Sequence, residues 1–498
     1  MISERSVLMN LMMLKSGTDI RGIGDEKQFD NPLFLSDDAI KSIVDSYCNW
    51  LSEKTNKSIY DLKISVGHDS RCSAERIKSC VLTVLSANRI KSYDCGLSST
   101  PAMFMTTVLA DCDGAIQITA SHHPSDRNGL KFFTKDGGLE SSDITDIIND
   151  AKKFEKDVAI TTEKIDFMSE YSEHLRNVII NGIDKGKQPL KGMKIVVDAG
   201  NGVGGFYAKD VLAPLGADVS ASQFLEPDGT FPNHIPNPEN SDAMKSICNA
   251  VINAEADFGV IFDTDVDRAA CVDKNGNPIN KDRLIALVSS ILLKNKTGTI
   301  VTDSVTTRAL TDFIENHLGA KHLRYKRGYK NVISKQIELT EQGIHCPLAI
   351  ETSGHAALSE NYFLDDGAYL ITKIIVEMSK LSAQGKTIED ELQHLVEPFE
   401  TRELRMNILT EDFRNYGENF IEYLTNNMHP DWSKEAVNYE GVRIYTKDGS
   451  FTARLSVHDP VLIFNFESDV KGGIEKTIRQ IKPLLEKHDK IDSENFLL

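Results

Sequence analysis

The strongest constraint on the fold is a regular alternation of short apolar runs with helical patterns along most of the chain. The clearest apolar runs span 62–66, 114–118, 194–197, 258–262 and 299–302. The clearest helical patterns, which carry apolar residues three and four positions apart, span 38–50, 74–86, 241–254 and 281–293. This alternation predicts βαβ units with a largely parallel sheet. We therefore expect functional loops at the carboxyl ends of the strands, where helix N-termini offer free N–H groups to anions.

Length and local changes of pattern divide the chain into domains. At roughly 150 residues per domain, 498 residues make about three or four domains. Charged stretches near 152–164 and 184–188, a change near 275–282 and an antiparallel pattern after 388–398 mark three boundaries. We expect three α/β domains and a smaller α+β C-terminal domain. Their predicted bounds are 1–160, 161–278, 279–395 and 396–498.

Composition limits the kinds of binding partner and the cellular compartment that we expect. The 56 Lys and Arg against 74 Asp and Glu make a formal charge of −18, which argues against nucleic-acid and anionic-membrane partners. No apolar stretch reaches the 18 or so residues of a membrane span. The eight cysteines form no CxxC pair, which favours reduced thiols and a cytoplasmic protein over disulfides or a zinc site.

The segment TASHHPSDRNGLK (119–131) follows an apolar run and carries a candidate nucleophile. Ser121, flanked by His122 and Lys131, suits a nucleophile or a phosphate carrier. The alternative is a polar loop whose serine caps a helix. The segment lacks the GxSxG pattern of a nucleophile elbow, so an ordinary serine hydrolase is disfavoured.

The segment DTDVDR (263–268) follows the next strand-like run and carries three alternating carboxylates. Asp263, Asp265 and Asp267 can converge on one hard divalent cation, because Mg²⁺ and Ca²⁺ prefer oxygen ligands. An EF-hand is excluded, since its sixth and twelfth positions are Arg268 and Lys274 here. The pattern also fails to match a haloacid-dehalogenase-type phosphatase. A solvated acidic turn is the remaining alternative.

Two further segments carry polar side chains that suit a sugar phosphate. The Glu, Ser and His of ETSGH (351–355) can bond neighbouring sugar hydroxyls, or else cap a helix. The Arg, Ser and His of RLSVHDP (454–460) can form a phosphate cradle, or else an ordinary turn.

Taken together and in this order, the four segments resemble the α-D-phosphohexomutase family, which includes the phosphoglucomutases and phosphomannomutases. The resemblance extends over nearly the whole chain. Supporting stretches are SGTDIRG (16–22), VGHDSR (66–71), STP (99–101), DAGNG (198–202) and the PDG to PNP segment (227–238).

The resemblance implies a fold and a reaction. The fold is α/β, with three similar α/β/α domains that have mixed sheets and a smaller α+β C-terminal domain, heart-shaped around a central cleft. The serine that matches Ser121 carries a phosphoryl group, and Mg²⁺ is held by that group and by Asp263, Asp265 and Asp267. The phosphoryl group passes to a hexose 1-phosphate, and the 1,6-bisphosphate turns around and returns its other phosphate to the serine. Glucose 1,6-bisphosphate is then the expected activator, and the expected chain is a monomer or homodimer.

The resemblance also implies residue roles. The residues expected to transfer protons are His122, Lys131 and His355. The sugar is expected to be bound by Glu351 and Ser353. The residues expected to bind the phosphates or the sugar are Arg21, Arg268, Gly328, Lys330, Arg454, Ser456 and His458.

Departures from the family pattern leave the substrate open. The C-terminal loop reads RLSVHDP where RxSGTEP or RxSNTxP is usual, and KRGYK (326–330) stands where TGH or VGxK is frequent. Glucose or mannose phosphate is the leading substrate. A phosphoglucosamine mutase, a catalytically weak sugar-phosphate-binding relative and a phosphatase are the alternatives.

Overall fold

The computed structural model describes residues 11–456 and 459–492, which form two compact units. The first unit contains the residues up to 280 together with 353–388. The second unit contains 281–352 and the described residues from 389 onward.

Strands and helices follow one another along the chain, with consecutive strands at 114–138 and 258–279 and again in the C-terminal region. The described strands are β1 (Lys15–Ser16), β2 (Asp19–Ile23), β3 (Lys63–His68), β4 (Lys91–Leu97), β5 (Gly114–Ile118), β6 (Arg127–Thr134), β7 (Gly137–Gly138), β8 (Glu163–Lys164), β9 (Ile195–Asp198), β10 (Phe258–Phe262), β11 (Ala269–Asp273), β12 (Pro278–Ile279), β13 (Thr299–Asp303), β14 (Lys321–Tyr325), β15 (Leu348–Ile350), β16 (Ala356–Leu358), β17 (Leu364–Asp365), β18 (Glu400–Asn407), β19 (Ser433–Lys434), β20 (Val442–Tyr445), β21 (Gly449–Leu455) and β22 (Val461–Ser468). The described α-helices are α1 (Asp37–Thr55), α2 (Ala74–Ala87), α3 (Thr100–Leu109), α4 (Ser141–Asp150), α5 (Phe167–Ile183), α6 (Ser241–Ala254), α7 (Lys281–Leu293), α8 (Arg308–Asp312), α9 (Tyr329–Glu341), α10 (Gly367–Ser382), α11 (Phe413–Asn426) and α12 (Gly473–Leu485).

The first unit begins with a mixed sheet in the order β1-β2-β6-β5-β3-β4-β8, with β7 paired to β6. Strands β3, β4 and β5 are parallel, whereas β6 is antiparallel to both β5 and β2. Helix α1 begins after Ser36, whose Oγ accepts a hydrogen bond from Ala39 N at 3.2 Å, and ends at Asn56 in the left-handed conformation. Its apolar residues at three- and four-residue spacing, such as Ile40, Val44 and Leu51, are buried in the core beside this sheet.

A second sheet of the first unit has the order β12-β11-β10-β9. Strands β9 and β10 are parallel, and β10 and β11 form an antiparallel hairpin. Helix α6 packs its buried residues Ala243, Ile247 and Val251 into the core beside these strands. The antiparallel strands β16 and β17 and helix α10 belong to the same unit.

The second unit contains two sheets of different topology. The parallel strands lie in the order β14-β13-β15, and the C-terminal sheet is antiparallel in the order β18-β22-β21-β20-β19. The core of the C-terminal sheet is aromatic and includes Phe420, Phe451, Phe464 and Phe466. A four-domain α/β architecture with mixed sheets is thus confirmed, and the antiparallel pattern expected near the C-terminus is confirmed as well.

All eight cysteines are free thiols, and most are buried. Within the described residues, no helix combines the length and the apolar character needed to cross a membrane.

Candidate active site

The loop that carries Ser121 leaves the carboxyl end of β5 and leads directly into β6. Ser121 is 4% exposed and has a φ of +49°, a left-handed conformation that costs a non-glycine residue on the order of 1 kcal/mol. Its N–H donates to Thr119 Oγ1 at 2.8 Å, and its Oγ lies 3.1 Å from Asp263 Oδ2. Because a strand follows this loop, Ser121 does not cap a helix. The turn presents the hydroxyl to the carboxylates of the next segment.

A fully buried arginine holds the main chain of this loop. Arg71 Nη1 donates to the carbonyls of Pro124 and Arg127 at 2.6 and 2.9 Å. Its Nη2 donates to the carbonyls of Ser121 and His123. Its Nε donates to Asp69 Oδ2, 3.1 Å away. These bonds arise because β3 and β5 are parallel neighbours, so the residues after β3 lie beside the residues after β5.

Three buried carboxylates lie beside Ser121. Asp263, Asp265 and Asp267 follow β10, and one oxygen of each lies within 4.8 Å of one oxygen of each of the others. Burial and the two neighbouring carboxylates raise the pKa of Asp263 well above its usual range. Burial acts in the same direction on Asp267, but the charges of Lys131, His355 and Arg268 together outweigh it and lower the pKa of Asp267.

This carboxylate cluster fits a hard divalent cation. Asp265 Oδ1 and Asp267 Oδ1 are buried and have no hydrogen-bond partner among the described residues. Buried unpaired carboxylate oxygens are costly, and a cation coordinated by oxygen ligands compensates them. Lys131 Nζ, 3.4 Å from Asp265 Oδ2 and bonded to Asp267, supplies part of this compensation in the structure. The solvated acidic turn, which was the alternative, is wrong because all three carboxylates are buried.

Arg268 connects two histidines at the edge of the cluster. Its Nη2 donates to His122 Nδ1 at 2.8 Å, and its Nε donates to His355 Nε2 at 2.8 Å. Burial and the positive charge of Arg268 lower the pKa of His122 to about 2. His122 is therefore neutral at pH 7, and its Nδ1 lies 3.4 Å from Ser121 Oγ. In this arrangement the lone pair of Nδ1 accepts from Arg268, and the low pKa makes the ring a weak base.

His355 is bonded at both ring nitrogens. Its Nδ1 bonds to Asp365 Oδ2, and Asp365 Oδ1 accepts from Ala356 N at 2.9 Å. Since Nε2 accepts from Arg268, the ring is held in one orientation by two charged partners. Ser353, two residues earlier, is buried, and its Oγ has no hydrogen-bond partner among the described residues.

Arg21 joins the serine loop from β2. Its Nη1 donates to the carbonyl of Thr119, and its Nη2 donates to Asp19 Oδ2 at 2.8 Å. The antiparallel pairing of Arg21 with Gly129 accounts for this position. In the first unit, the structure thus brings Arg21 to the backbone that carries Ser121.

The second unit holds the other predicted residues in two places. Glu351 is buried after β15, and its Oε1 accepts from Gly328 N at 2.7 Å. Gly328 has a φ of +108° and precedes α9, in whose first turn Lys330 lies. Arg454 lies on β21, and Ser456 Oγ accepts from Asp459 N at 3.3 Å. His458 lies outside the described residues.

Several residues of these sites were missed by the sequence analysis. Asp69 lies in the VGHDSR stretch without an assigned role, and its Oδ2 accepts from Thr119 Oγ1 at 2.7 Å. Thr100, in the STP stretch, donates from Oγ1 to Asp265 Oδ2. The sequence around Asp365 did not indicate a functional role, apart from the two adjacent aspartates of DDG (365–367). Each acts through a contact between residues far apart in the chain, which a single sequence does not display.

Three family models match the chain in succession. They are the alpha/beta/alpha domains I, II and III of phosphoglucomutase/phosphomannomutase, which match residues 13–158, 169–276 and 280–399.

Relatives and solved structures match over most of the chain. A phosphoglucomutase of Neisseria meningitidis is 30% identical over 94% of this chain and 95% of its own. A phosphomannomutase/phosphoglucomutase of Pseudomonas putida is 29% identical over 83% of this chain and 85% of its own. The crystal structure of a phosphoglucomutase/phosphomannomutase family protein from Burkholderia thailandensis covers 98% of both chains with a TM-score of 0.79 and 25% identity.

Proposed function

The chain belongs to the phosphoglucomutase/phosphomannomutase family and is a phosphotransferase-type isomerase of hexose phosphates. From this premise we propose that it exchanges the 1- and 6-phosphates of glucose or mannose through Ser121. The observation that carries the proposal is the position of Ser121 Oγ, 3.1 Å from Asp263 Oδ2 at the edge of the buried carboxylate cluster. A hydroxyl in this position can carry a phosphoryl group beside a bound cation.

In the proposed reaction, the O–P bond at Ser121 breaks while an O–P bond forms to the free hydroxyl of a hexose 1-phosphate. The sugar hydroxyl loses one proton, and the serine oxygen must be reprotonated or receive a new phosphoryl group. The resulting 1,6-bisphosphate turns around and returns its other phosphoryl group to Ser121. The enzyme is thereby regenerated, and the product is the 6-phosphate.

The surrounding side chains suit the proton and charge requirements of this transfer. His122 would accept the proton of the sugar hydroxyl once its Nδ1 is released from Arg268, and the Lys131 ammonium can donate one. His355 is a further candidate, although one of its bonds to Arg268 and Asp365 must open before its ring can exchange a proton. Asp263, Asp265 and Asp267, with an oxygen on Ser121, would hold Mg²⁺, whose charge neutralises the transferring phosphoryl oxygens.

The remaining residues are proposed to bind the sugar and its second phosphate. Glu351 and Ser353 would bond sugar hydroxyls, because both are buried polar groups and Ser353 Oγ lacks a partner among the described residues. The residues assigned to phosphate groups or to the sugar are Arg21, Arg268, Gly328, Lys330, Arg454, Ser456 and His458.

We further propose four domains with bounds 1–160, 161–278, 279–395 and 396–498, and glucose 1,6-bisphosphate as the activator that first phosphorylates the serine. Reduced cysteines favour a cytoplasmic location. The expected oligomeric state is a monomer or a homodimer.

A competition assay tests the proposed function. Glucose, mannose and glucosamine 1-phosphates are mixed with Mg²⁺ and a trace of glucose 1,6-bisphosphate, and the 6-phosphates are followed by phosphorus NMR. We expect glucose or mannose 6-phosphate to form, and Ser121→Ala to form neither.

If the assay yields other products, one of the alternative functions applies. Preferred conversion of the glucosamine phosphate would indicate a phosphoglucosamine mutase. Inorganic phosphate in excess of isomerised sugar would indicate a phosphatase. Binding without any conversion would indicate a catalytically weak relative.

A further inference from the structure

Arg327 lies in a cluster of charged side chains in the second unit. Its Nε lies 3.5 Å from Asp303 Oδ2, and its main-chain N–H donates to Glu440 Oε2 at 3.2 Å. Glu440 Oε2 also accepts from Ser304 Oγ at 2.5 Å, next to Asp303 in the chain. The loop before α9 and the loop before β20 are thereby joined at Arg327.

Arg454 lies against the same group of residues. A Cβ atom placed on Gly441, the residue after Glu440, would lie 2.8 Å from Arg454 Cβ. The Arg454 side chain is buried, with the residue 4% exposed, and its Nε has no hydrogen-bond partner among the described residues. Burial lowers the pKa of Arg454, and the nearby charge that lowers it most is Arg327. Two guanidinium groups therefore repel each other in this cluster, and one of them has a buried unpaired N–H.

We propose that Arg327 is a second phosphate-binding arginine, which acts with Arg454 on the phosphate of the hexose phosphate that is not being transferred. The inference rests on the proposed function, in which Arg454 binds this phosphate. Two arginines are a natural set of donors for a dianionic phosphate, because each guanidinium offers a planar fork of N–H groups.

The contacts of Arg327 suit a ligand-binding side chain. Asp303 is fully buried, whereas the Arg327 side chain is 28% exposed. Asp303 Oδ2 already accepts from Thr352 Oγ1 at 2.7 Å, so its carboxylate is fixed in place. An ion pair with a fixed and buried carboxylate orients the guanidinium while leaving part of it accessible.

The chain also departs from the family pattern in the two segments that carry Arg327 and Arg454. Position 327 is Arg where the TGH and VGxK patterns have Thr or Val, and the RLSVHDP loop has Val457 and His458 where a small residue and a hydroxyl are usual. The added guanidinium would supply further phosphate donors beside this altered loop.

Calorimetric titration with inorganic phosphate tests the proposal without requiring turnover. The variants are Arg327→Thr and the matched control Lys326→Thr, which removes the same charge from the adjacent exposed residue. We expect the phosphate dissociation constant to rise about tenfold for Arg327→Thr and less than twofold for Lys326→Thr. Equal effects of the two substitutions, or no saturable phosphate binding by the wild type, would overturn the proposal.

Two further variants separate binding from a purely structural role. Arg327→Lys keeps a cation beside Asp303 and should fold, yet it should still bind phosphate more weakly because it loses the fork of donors. If Arg327→Thr alone fails to fold, the double variant Arg327→Thr/Asp303→Asn removes both partners of the ion pair. It should fold and show the same weakening. Wild-type phosphate affinity in this folded double variant would overturn the proposal.

A double-mutant cycle with Arg454→Met tests whether both arginines bind one phosphate. If they do, the loss of affinity in the double variant is smaller than the product of the two single losses. Fully multiplicative effects would contradict a shared phosphate. A protein that fails to isomerise any sugar phosphate but passes these binding tests would contradict the proposed function alone.

Discussion

At the scale of single residues, Arg71 accounts for the conformation of the serine loop. It donates to four carbonyl groups between Ser121 and Arg127, and Asp69 holds its Nε. The strained φ of Ser121 persists because these bonds over-determine the backbone around it.

Arg71→Lys is therefore expected to lower kcat about 100-fold, because a small displacement of the reacting hydroxyl is enough to cause such a loss. The thermal midpoint should also fall, since buried carbonyls lose their donors. The control is Arg405→Lys, at an exposed ion pair with Glu403, which should leave both values almost unchanged. A wild-type kcat for Arg71→Lys would show that the serine loop does not depend on this residue.

The carboxylate cluster leads to a second prediction at this scale. Asp265→Asn should raise the Mg²⁺ concentration for half-maximal turnover about tenfold or more, because it removes an anionic oxygen ligand. Asp198→Asn is the matched control, since Asp198 is equally buried in the same unit but pairs with His234. The two variants are compared by titrating turnover with Mg²⁺. Identical titrations would remove Asp265 from the metal ligands.

The site residues that could be predicted from the sequence are those that stand in short local motifs. Ser121 and the three aspartates stand in short motifs directly after strands, and the structure brings them together. Asp365 and Thr100 were missed because each acts across at least nine intervening residues. Only the tertiary arrangement brings each of them to its partner.

At the scale of elements, two helices of the first unit are joined by a buried carboxylate. Tyr171 of α5 donates to Asp366 Oδ1 at 2.7 Å, directly before α10. Burial raises the pKa of Asp366 to about 6, whereas the bonds from Tyr369 N, Tyr171 and Asn361 lower it. Because the folded-state pKa lies above the unfolded value, the contribution of Asp366 to stability is greatest at low pH and is lost as the pH rises through about 6.

Tyr171→Phe should destabilise the protein more at pH 8 than at pH 5. The ionised carboxylate that prevails at pH 8 loses a donor it needs, at a cost of about 1–3 kcal/mol, whereas the protonated group loses less. Urea unfolding at both pH values measures the difference. Tyr207→Phe is the control, because Tyr207 is equally buried but bonds to the Thr372 hydroxyl at 2.9 Å, which does not titrate. Equal pH dependence of the two variants would contradict the role assigned to Asp366.

Element positions were largely predictable, whereas the direction of β6 was not. The predicted spans 114–118, 258–262, 241–254 and 281–293 coincide with β5, β10, α6 and α7. The expectation of a largely parallel sheet is wrong for the first sheet, where β6 runs antiparallel to β5. The physical reason is the short connection 119–126, since a parallel crossover needs a dozen or more residues. This hairpin connection is also what places Ser121 at the end of the sheet.

At the scale of the whole molecule, Arg443 connects the two sheets of the second unit through hydrogen bonds. The residue is buried on β20, and its Nη2 donates to the carbonyls of Ser304 and Thr306 at 3.0 and 2.6 Å. Its Nη1 donates to Ser450 Oγ at 3.0 Å and lies 3.4 Å from Glu467. The parallel strands and the C-terminal sheet thus share one buried cation.

Arg443→Met should destabilise the second unit by about 3–5 kcal/mol, because Glu467 is left as a buried charge without this partner. Arg402→Met, on β18 of the same sheet and at an exposed ion pair with Glu475 of α12, should change stability by less than about 1 kcal/mol. Hydrogen exchange read out by mass spectrometry assigns the effect to a unit. Loss of protection confined to the first unit would contradict the prediction.

The measurement that tests the central claim most directly is the site of phosphorylation after incubation with glucose 1,6-bisphosphate and Mg²⁺. Peptide mass spectrometry should find one phosphoryl group per chain, on Ser121, and excess glucose 1-phosphate should remove it at the rate of turnover. Ser121→Ala should remain unmodified and inactive. Turnover by the wild type without a phosphoryl group on Ser121, or turnover by Ser121→Ala at the wild-type rate, would contradict the phosphoserine mechanism.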